Sequence, residues 1–401
     1  MKPLRALKDK IAGRVEGVKA QVSGSKGESC PWPLPPQGID LVLLMTVGAM
    51  VVFGLLMVYS SSYIFAQEKT GDGFSFIKKQ MLYALVGFGG LFGICRIDYR
   101  NWFKWAYPFL GVSIGLLIMV LIPGVGTKVL GAQRWIRLGP FGFQPGELAK
   151  FAVIVFASSQ LARKSDRIHT VAAGIVSPFL VPLPAMLLLL MQPDFGTTVM
   201  ITVVMFTLMF LAGVPKRFLG GIILLGATVG SWLALSSPYR RARVMTYLDP
   251  WKDPGGKGFQ ILQSLTGIHN GHFWGVGLGN GKEKLFYLPE AHNDFIFAVI
   301  GEELGFVGIV VVVVAFLYLI YRGLNIAFNC QKQYQDRFGM LLASGITLAL
   351  GLQGFVNMAV VMGLLPTKGL TLPFISYGGS ALMIDLFAVG VLLSVARGPR
   401  K

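Results

Sequence analysis

The sequence carries little charge: only 14% of its 401 residues are Asp, Glu, Lys or Arg, whereas 54% are hydrophobic. This composition excludes an ordinary soluble domain, in which about a quarter of the residues are charged. A membrane-spanning helix needs ~20 predominantly apolar residues in succession, so the apolar content is sufficient for about ten spans. The chain is therefore predicted to be a polytopic membrane protein.

Signatures of metal-binding and soluble enzymes are also scarce. The chain has four histidines and three cysteines, and it contains no His-Glu-x-x-His motif. A dedicated zinc site is therefore not expected. A phosphate-binding loop with its lysine is also missing. Cys30, Cys95 and Cys330 are predicted to lie at the inner side, where thiols stay reduced and no disulfide is expected.

Apolar runs of spanning length predict an all-α fold with about ten transmembrane helices. Helices are favoured because each span must satisfy its backbone hydrogen bonds internally, and the short alternating runs of a barrel are lacking. The predicted spans are approximately 40–63, 77–95, 102–122, 145–162, 171–191, 195–212, 217–236, 294–321, 338–363 and 375–396.

The distribution of positive charge predicts the orientation of these helices. The net charge is +17, and 21 of the 36 Lys and Arg residues fall in the segments on the side of the N-terminus. Cytoplasmic loops carry the Lys/Arg excess, so both termini are predicted to be cytoplasmic. Because the positive charges are distributed according to the predicted membrane topology and form no continuous basic stripe, no nucleic acid partner is expected. Residues 1–38 are interpreted as a disordered tail, 39–397 as the membrane domain and 398–401 as a short cytoplasmic tail.

One predicted outer segment, residues 237–293 between helices seven and eight, is much longer than most others. Long loops on compact proteins usually carry function. Its glycine run 275–281 resembles a phosphate-cradling loop, but no strand precedes it and no helix follows at the required spacing. A flexible loop on the membrane surface is the favoured interpretation of this run.

Asp294 lies where the long loop meets the eighth predicted helix, in the stretch Leu-Pro-Glu-Ala-His-Asn-Asp at 288–294. Two interpretations are open. The carboxylate could cap the helix, since unpaired backbone N–H groups and the helix dipole favour an acid there. Alternatively, it is a partly desolvated carboxylate whose pKa is raised toward that of a general base.

Further charged residues come from separate parts of the chain but map to the same outer leaflet. Cations that hold phosphate, beside a carboxylate that takes a proton, suit a lipid-linked diphosphate better than an ion path. Glu147 and Lys150 could equally be a structural pair on one helix face, and the deeper acids Glu302, Glu303 and Asp385 are interpreted by default as packing pairs. The outer group comprises Arg134, Glu147, Lys150, Asp194, Asp294 and Lys368, with Arg240, Arg241 and Arg243 on the same side.

Five ordered motifs resemble the SEDS family (shape, elongation, division, sporulation), and the likeness covers nearly all of residues 40–397. The pair EAH and GEELG resembles the division branch more than the elongation branch. Gly146 and Ala381 stand where the family usually has serine, and both departures spare the charged positions. The motifs are QRW at 133–135, QPGELAK at 144–150, QPDFGT at 192–197, LPEAHNDFIFAVIGEELG at 288–305 and LPTKGLTLPFISYGGS at 365–380.

The resemblance implies a peptidoglycan glycosyltransferase that polymerises lipid II at the outer face of the bacterial cytoplasmic (inner) membrane, at the division septum. The family's essential aspartate maps onto Asp294. By similarity, the residues that line the polar cavity beside it are Arg134, Glu147, Lys150, Asp194 and Lys368. Further candidates for substrate binding are Glu290, His292, Ser376, Arg240 and Arg243.

The implied partners are lipid II, the growing glycan strand, a class B penicillin-binding transpeptidase of the FtsI type, and division regulators of the FtsQ-FtsL-FtsB type. In the implied reaction Asp294 deprotonates the acceptor GlcNAc 4-hydroxyl and undecaprenyl diphosphate departs. No cofactor is firmly implied, although a divalent cation, Mg²⁺ or Mn²⁺, would assist that departure. The alternatives are a lipid II flippase and a non-catalytic scaffold for the transpeptidase.

Overall fold

In a computed structural model of the chain, all ten predicted apolar runs are helical. The structure describes residues 38–129, 132–139, 141–236, 249–252, 255, 258–366 and 369–399, so the predicted tail lies almost wholly outside it. The helices are α1 Leu41–Thr70, α2 Ser75–Cys95, α3 Arg100–Leu121, α4 Pro145–Arg163, α5 Ser177–Leu180, α6 Leu183–Met191, α7 Phe195–Leu211, α8 Lys216–Ser236, α9 Phe259–Asn270, α10 Ile296–Tyr334, α11 Arg337–Val361 and α12 Gly379–Arg397.

Within the described residues, five helices are long and apolar enough to cross a membrane: α1, α3, α10, α11 and α12. A sixth candidate is a bent pair, Ala172–Leu180 with Leu183–Met191, whose axes differ by 41°. The sequence predicted one unbroken span here. Pro182 explains the bend, because its ring removes a backbone donor and clashes with the preceding turn. The count of ten spans stays a prediction.

The centre of the bundle is formed by α4, α11 and α12. In the most apolar window of each helix, 78% of α11 and 89% of α12 are buried, against 28% for α3 and α10. Extensive contacts join α12 to α2, α11 to α10 and α4 to α3. Glycine at position 90 allows α2 and α12 to pack closely, since a Cβ there would lie only 1.9 Å from the Phe387 ring. Helices that are buried on all sides or that face lipid need no polar face, which explains why the apolar runs show so little amphipathic pattern.

The helix α10 is longer than predicted. It runs over 39 residues with a break at Gly305, and the 29 residues after the break, 306–334, correspond to a length of ~44 Å, beyond the ~30 Å hydrocarbon core. The apolar run ends near residue 321, but the following polar turns stay helical because they need no apolar surface outside the bilayer. Near that end, Arg322 Nε donates to Asp40 Oδ2 at 2.9 Å, which ties α10 to the start of α1.

A small antiparallel sheet interrupts the otherwise helical architecture. Its strands are β1 Gly126–Val129, β2 Ala132–Leu138 and β3 Phe141–Phe143, in the order β1-β2-β3. Thr127 pairs with Trp135, and Ile136 pairs with Phe143. The sequence does not predict these strands, because runs this short lack a recognisable alternation of polar and apolar residues. The sheet precedes α4 and carries Arg134, so it contributes directly to the candidate site.

Candidate active site

Asp294 occupies the last turn before α10, and it does not cap that helix. The capping position is Phe295, and no side chain makes a cap hydrogen bond there. The turn is instead closed by its own backbone, since Asn293 N and Phe295 N both donate to the carbonyl of Glu290. The capping interpretation of Asp294 is therefore wrong, and its carboxylate is available for another role.

The surroundings of Asp294 come from α11 and from the loop before α12. Asn357 Nδ2 donates to the Asp294 carbonyl at 2.8 Å and to the Leu370 carbonyl at 2.6 Å, which fastens both segments to α11. The loop passes so close that a Cβ at Gly369 would lie 3.1 Å from Asp294 Oδ2. Glycine at this position leaves room beside the carboxylate.

Burial raises the pKa of Asp294 from 3.8 to about 7; the nearby carboxylate of Glu290 adds to the shift and the guanidinium of Arg134 opposes it. Among the described residues, no hydrogen bond to its carboxylate oxygens is made. A carboxylate without donors, in a partly buried position, is more basic than an exposed one. A pKa close to neutrality is the value at which a general base is most effective.

Arg134 links the sheet to the turn between α6 and α7. Its Nε donates to the Gln192 carbonyl at 2.9 Å, and its Nη2 donates to the Pro193 carbonyl. Its Nη1 lies 3.8 Å from Asp194 Oδ1. Because the same guanidinium also influences Asp294, it places a fixed positive charge between the two acids.

Asp194 is bound on two sides. It caps α7, accepting from Thr197 N at 3.3 Å and from Thr197 Oγ1 at 2.8 Å. Burial raises the pKa of its carboxyl, while Arg134 and the Thr197 hydrogen bonds act in the opposite direction. The Asp194 carboxylate is therefore already occupied by Thr197 and Arg134, and its main contribution to the candidate site is to hold Arg134 in place.

Glu147 and Lys150 form a buried pair that joins α4 to α11. Lys150 Nζ lies 2.5 Å from Glu147 Oε2 and 2.5 Å from Gln353 Oε1 on α11. Gln353 Nε2 in turn donates to the Thr371 carbonyl at 3.0 Å. Electrostatic interactions connect Lys150 with Asp194 and with Asp385. The pair thus lies beside the candidate site and also fixes the loop before α12.

His292 and Ser376 have structural contacts. The His292 ring is buried among Phe65, Phe76 and Tyr377, and this burial lowers its pKa, so it is neutral at pH 7. Ser376 Oγ accepts from Leu372 N at 2.8 Å inside its own loop. Because both side chains are engaged in contacts within the protein, neither is assigned a part in proton transfer.

A cavity of about 250 Å³ is lined in part by the turn before Asp294. Its lining includes Lys284, Glu290 and His292. Glu290 has a left-handed backbone, with φ of 57°, a conformation that costs energy for a non-glycine residue. This geometry turns the chain sharply between the cavity and Asp294.

Several predicted site residues lie outside the described residues, namely Lys368, Arg240, Arg241 and Arg243. Within the described part of the chain, no group of three or more His, Cys, Asp or Glu side chains could hold a metal ion. The carboxylates of the candidate site have separate surroundings instead: Asp194 lies beside Arg134, Glu147 pairs with Lys150, and Asp294 lies in the turn before α10.

Sequence reasoning missed Gln353 and Asn357, whose amides connect α11 to both sides of the site. They lie one helical turn apart and are both 1% exposed. Two amides at this spacing in an apolar helix are a readable signal, because polar side chains within a membrane segment require partners.

Comparisons with known proteins agree with this architecture. A family model described as "Cell cycle protein", covering FtsW, RodA and SpoVE, matches residues 40–401. The chain is 47% identical over 358 residues to a Geobacter sulfurreducens protein named probable peptidoglycan glycosyltransferase FtsW, covering 89% of this chain and 95% of that protein. A protein of the same name from Trichlorobacter lovleyi is 48% identical over 360 residues, covering 90% and 93%.

A solved structure supports the likeness in three dimensions. It is described as "Structural coordination of polymerization and crosslinking by a peptidoglycan synthase complex", and its matching chain superposes with a TM-score of 0.75 at 33% identity. The match covers 90% of this chain and 98% of that chain.

Proposed function

Because the chain belongs to the FtsW/RodA/SpoVE family of cell cycle proteins, we propose that it polymerises lipid II into glycan strands at the outer face of the bacterial inner membrane during septal wall synthesis. Relatives that are 47–48% identical are named as peptidoglycan glycosyltransferases, and this chain is a multi-pass membrane enzyme of that class. The observation that supports the mechanism best is the Asp294 carboxylate, which has a raised pKa and no described hydrogen-bond donor.

In the proposed reaction Asp294 takes the proton of the acceptor GlcNAc 4-hydroxyl. The hydroxyl oxygen forms the new glycosidic bond at the donor's anomeric carbon, and the bond from that carbon to the diphosphate breaks. Undecaprenyl diphosphate leaves with the electron pair. Since diphosphate is already a good leaving group, one base is sufficient, in contrast to the carboxyl pair of glycoside hydrolases.

Positive charge near Asp294 would stabilise the departing diphosphate. Arg134 is held in place by two backbone carbonyls and Asp194, so its charge needs no reorganisation during the reaction. Lys150 adds to the positive potential of the same region, although its ammonium is engaged by Glu147 and Gln353. Lys368, Arg240 and Arg243 are proposed to contribute in the same way.

A divalent cation is proposed only as an accompaniment to the diphosphate. Mg²⁺ characteristically binds through one or two carboxylates together with substrate phosphates, and Glu290, whose charge acts on Asp294, would hold the ion while Asp294 accepts the proton. Such an ion would supply charge neutralisation of the leaving group.

The proposed partners are a class B penicillin-binding transpeptidase and division regulators of the FtsQ-FtsL-FtsB type. The solved relative comes from a complex that coordinates polymerisation and crosslinking. A transpeptidase bound to this chain would crosslink the strands that the chain produces.

The flippase alternative requires polar access from both ends of the bundle. At the far end of α10 two described acids are paired with cations, Asp40 with Arg322 and Asp336 with Arg100. At the near end, Asp294 lacks such a partner among the described residues. This asymmetry supports a one-sided reaction site over a two-sided translocation path.

A purified polymerisation assay distinguishes enzyme, flippase and scaffold. The full chain is mixed with lipid II, with and without a transpeptidase whose active serine has been replaced. Glycan strands made by the native chain but not by Asp294→Asn support the proposal. Translocation of lipid II across vesicles without polymer would support the flippase, and polymer made equally by Asp294→Asn would contradict the role of Asp294.

A further inference from the structure

The glycine run 275–281 and the two acids Glu302 and Glu303 belong to one structure at a break in α10. Gly305 has φ of 66° and ψ of −161°, so the helix is interrupted there. The break divides α10 into an N-terminal portion of nine residues, 296–304, and the long remainder. Asp294 stands directly before the short portion.

The long loop supplies the backbone hydrogen bonds that the broken helix lacks. Val276 N donates to the Glu302 carbonyl and Gly277 N to the Glu303 carbonyl, both at 3.0 Å. Beyond the break, Phe306 N donates to the His272 carbonyl at 3.0 Å. A Cβ at Gly275 would lie 2.1 Å from the Glu303 carbonyl oxygen, so only glycine fits. The first part of the run, residues 275–277, is thus fastened to the broken helix, so the interpretation of a flexible loop is wrong for this part.

The side chains of Glu302 and Glu303 reach back to the loop segment that leads to Asp294. Glu302 accepts hydrogen bonds from Lys282 N at 2.7 Å and Glu283 N at 3.2 Å. Glu303 Oε1 lies 2.6 Å from Lys284 Nζ. The side chains of Lys284 and Glu303 are 3% and 0% exposed. A buried ion pair of this kind persists only when both charges are held in good geometry.

Ser60 extends this contact to α1. Its hydroxyl donates to Glu303 at 2.7 Å, and Lys284 Nζ donates to the same hydroxyl at 3.2 Å. Three elements, the loop, α1 and α10, therefore meet at the Glu303 carboxylate. The Lys284–Glu303–Ser60 contact is named here the loop clamp.

The clamp closes a ring that contains Asp294. The chain leaves Lys284, turns at Glu290, passes Asp294 and enters the short helical portion that ends at Glu303. Backbone hydrogen bonds stiffen this path, including Leu288 N to the Glu283 carbonyl at 2.8 Å. A change in the distance between Lys284 and Glu303 therefore alters the restraint on the turn that carries Asp294.

We propose that Glu303 is a positioning residue, which sets the location of Asp294 through Lys284. The inference rests on the proposed function, since it concerns the placement of the proposed base. Misplacement of a reacting group by about 1 Å can cost ~10²-fold in rate. Glu303 has no contact with the reacting atoms, so its effect appears in kcat and leaves the KM for lipid II nearly unchanged.

The test uses two variants of the full chain that avoid a lone buried charge. Glu303→Asp keeps the ion pair but shortens its reach by one methylene group. The double variant K284M/E303Q removes both charges together. Lys78→Met is the matched control, because it breaks an exposed ion pair with Asp72 in the turn between α1 and α2. Polymerisation of lipid II gives kcat and KM, and thermal unfolding in detergent gives the folded fraction.

The expected result is a fall in kcat of about 10- to 100-fold in both clamp variants, with KM changed much less and with folded protein throughout. Lys78→Met should behave as the native chain does. Native kcat in folded clamp variants overturns the proposal, and so does a loss that disappears once the folded fraction is taken into account. Asp294→Asn is assayed in parallel: if it retains the native rate, the proposed function fails, whereas a clamp variant of native kcat beside an inactive Asp294→Asn refutes only the positioning role.

Discussion

Asp194 and Asp294 each stand within two residues of the start of an apolar helix, yet the structure uses them differently. Asp194 caps α7 and lies 3.8 Å from the Arg134 guanidinium. Asp294 leaves the capping position to Phe295. The same residue type before the same kind of helix therefore gives a structural acid in one place and a candidate base in the other.

The difference comes from the turns that precede the two helices. The Asp194 backbone, with φ of −93° and ψ of 66°, directs its carboxylate at the first turn of α7. Before α10, the sharp turn at Glu290 supplies the backbone hydrogen bonds itself, so the Asp294 side chain is not required there. An acid near a helix start is therefore a catalytic candidate when backbone hydrogen bonds already close the turn before the helix.

The largest expected effect separates the two acids directly. Asp294→Asn should lower the rate of lipid II polymerisation by about 10³-fold, since asparagine cannot accept the proton. Asp194→Ala should lower the rate far less, but it should lower the thermal stability, because a lost cap costs ~1 kcal/mol and Arg134 loses its partner. Polymerisation rates and unfolding midpoints of the two purified variants check both expectations.

The stability of Asp294→Asn has a defined pH dependence. Because the pKa of Asp294 is raised from 3.8 to about 7 on folding, its favourable contribution is complete below pH 4 and is lost as the pH rises through 7. Asp294→Asn should thus be at least as stable as the native chain at pH 8, and the advantage should vanish near pH 4. A variant less stable at pH 8 than at pH 5, relative to native, would contradict the raised pKa.

Replacement of Arg134 tests whether the cation between the two acids serves the reaction. Arg134→Met should reduce kcat by about 10²-fold, because a fixed positive charge near the diphosphate is lost. Arg134→Lys keeps the charge but not the forked contacts to Gln192 and Pro193, so an intermediate rate is expected. Equal rates for both variants would mean that geometry, not charge, is what Arg134 contributes.

Replacement of Glu290 should shift a pH profile more than it changes the maximal rate. Glu290 raises the pKa of Asp294, so Glu290→Gln should move the acid side of the rate profile below pH 7. The rate of polymerisation measured from pH 5 to 9 gives the shift. A displacement toward higher pH would show that Glu290 acts on Asp294 by some means other than its charge.

Gly369→Ala is expected to have the smallest effect. The added methyl group would lie 3.1 Å from Asp294 Oδ2, which is tight enough to displace the carboxylate slightly, and kcat should fall by only a few fold. Gly48→Ala is a suitable control, since a Cβ at Gly48 meets nothing within 4 Å. A native rate for Gly369→Ala would show that the loop yields without disturbing Asp294.

The sequence predicted the helices well because a bilayer leaves an apolar run little choice except a helix. It could not predict the break in α10, since the stretch 294–321 that contains Gly305 is typical of one continuous helix. The break depends on backbone groups at 272–277, which are about thirty residues earlier in the chain. Contacts of this kind have no local pattern.

For the site, charge clustering identified Arg134, Glu147, Lys150, Asp194 and Asp294, and the structure brings these residues to one end of the bundle. Charge clustering could not identify the separate role of each residue. The commitment of Asp194 to Thr197 and the pairing of Lys150 with Gln353 depend on side-chain directions. The sequence shows which residues are polar, but not which polar atoms are already satisfied.

The most direct test of the central claim is the pH dependence of kcat for lipid II polymerisation by the purified native chain. If Asp294 is the general base, the rate should rise with pH along an acid limb whose midpoint lies near 7, and Asp294→Asn should show no such limb. A native rate that is constant from pH 5 to 8, or a midpoint near 4, would contradict the account.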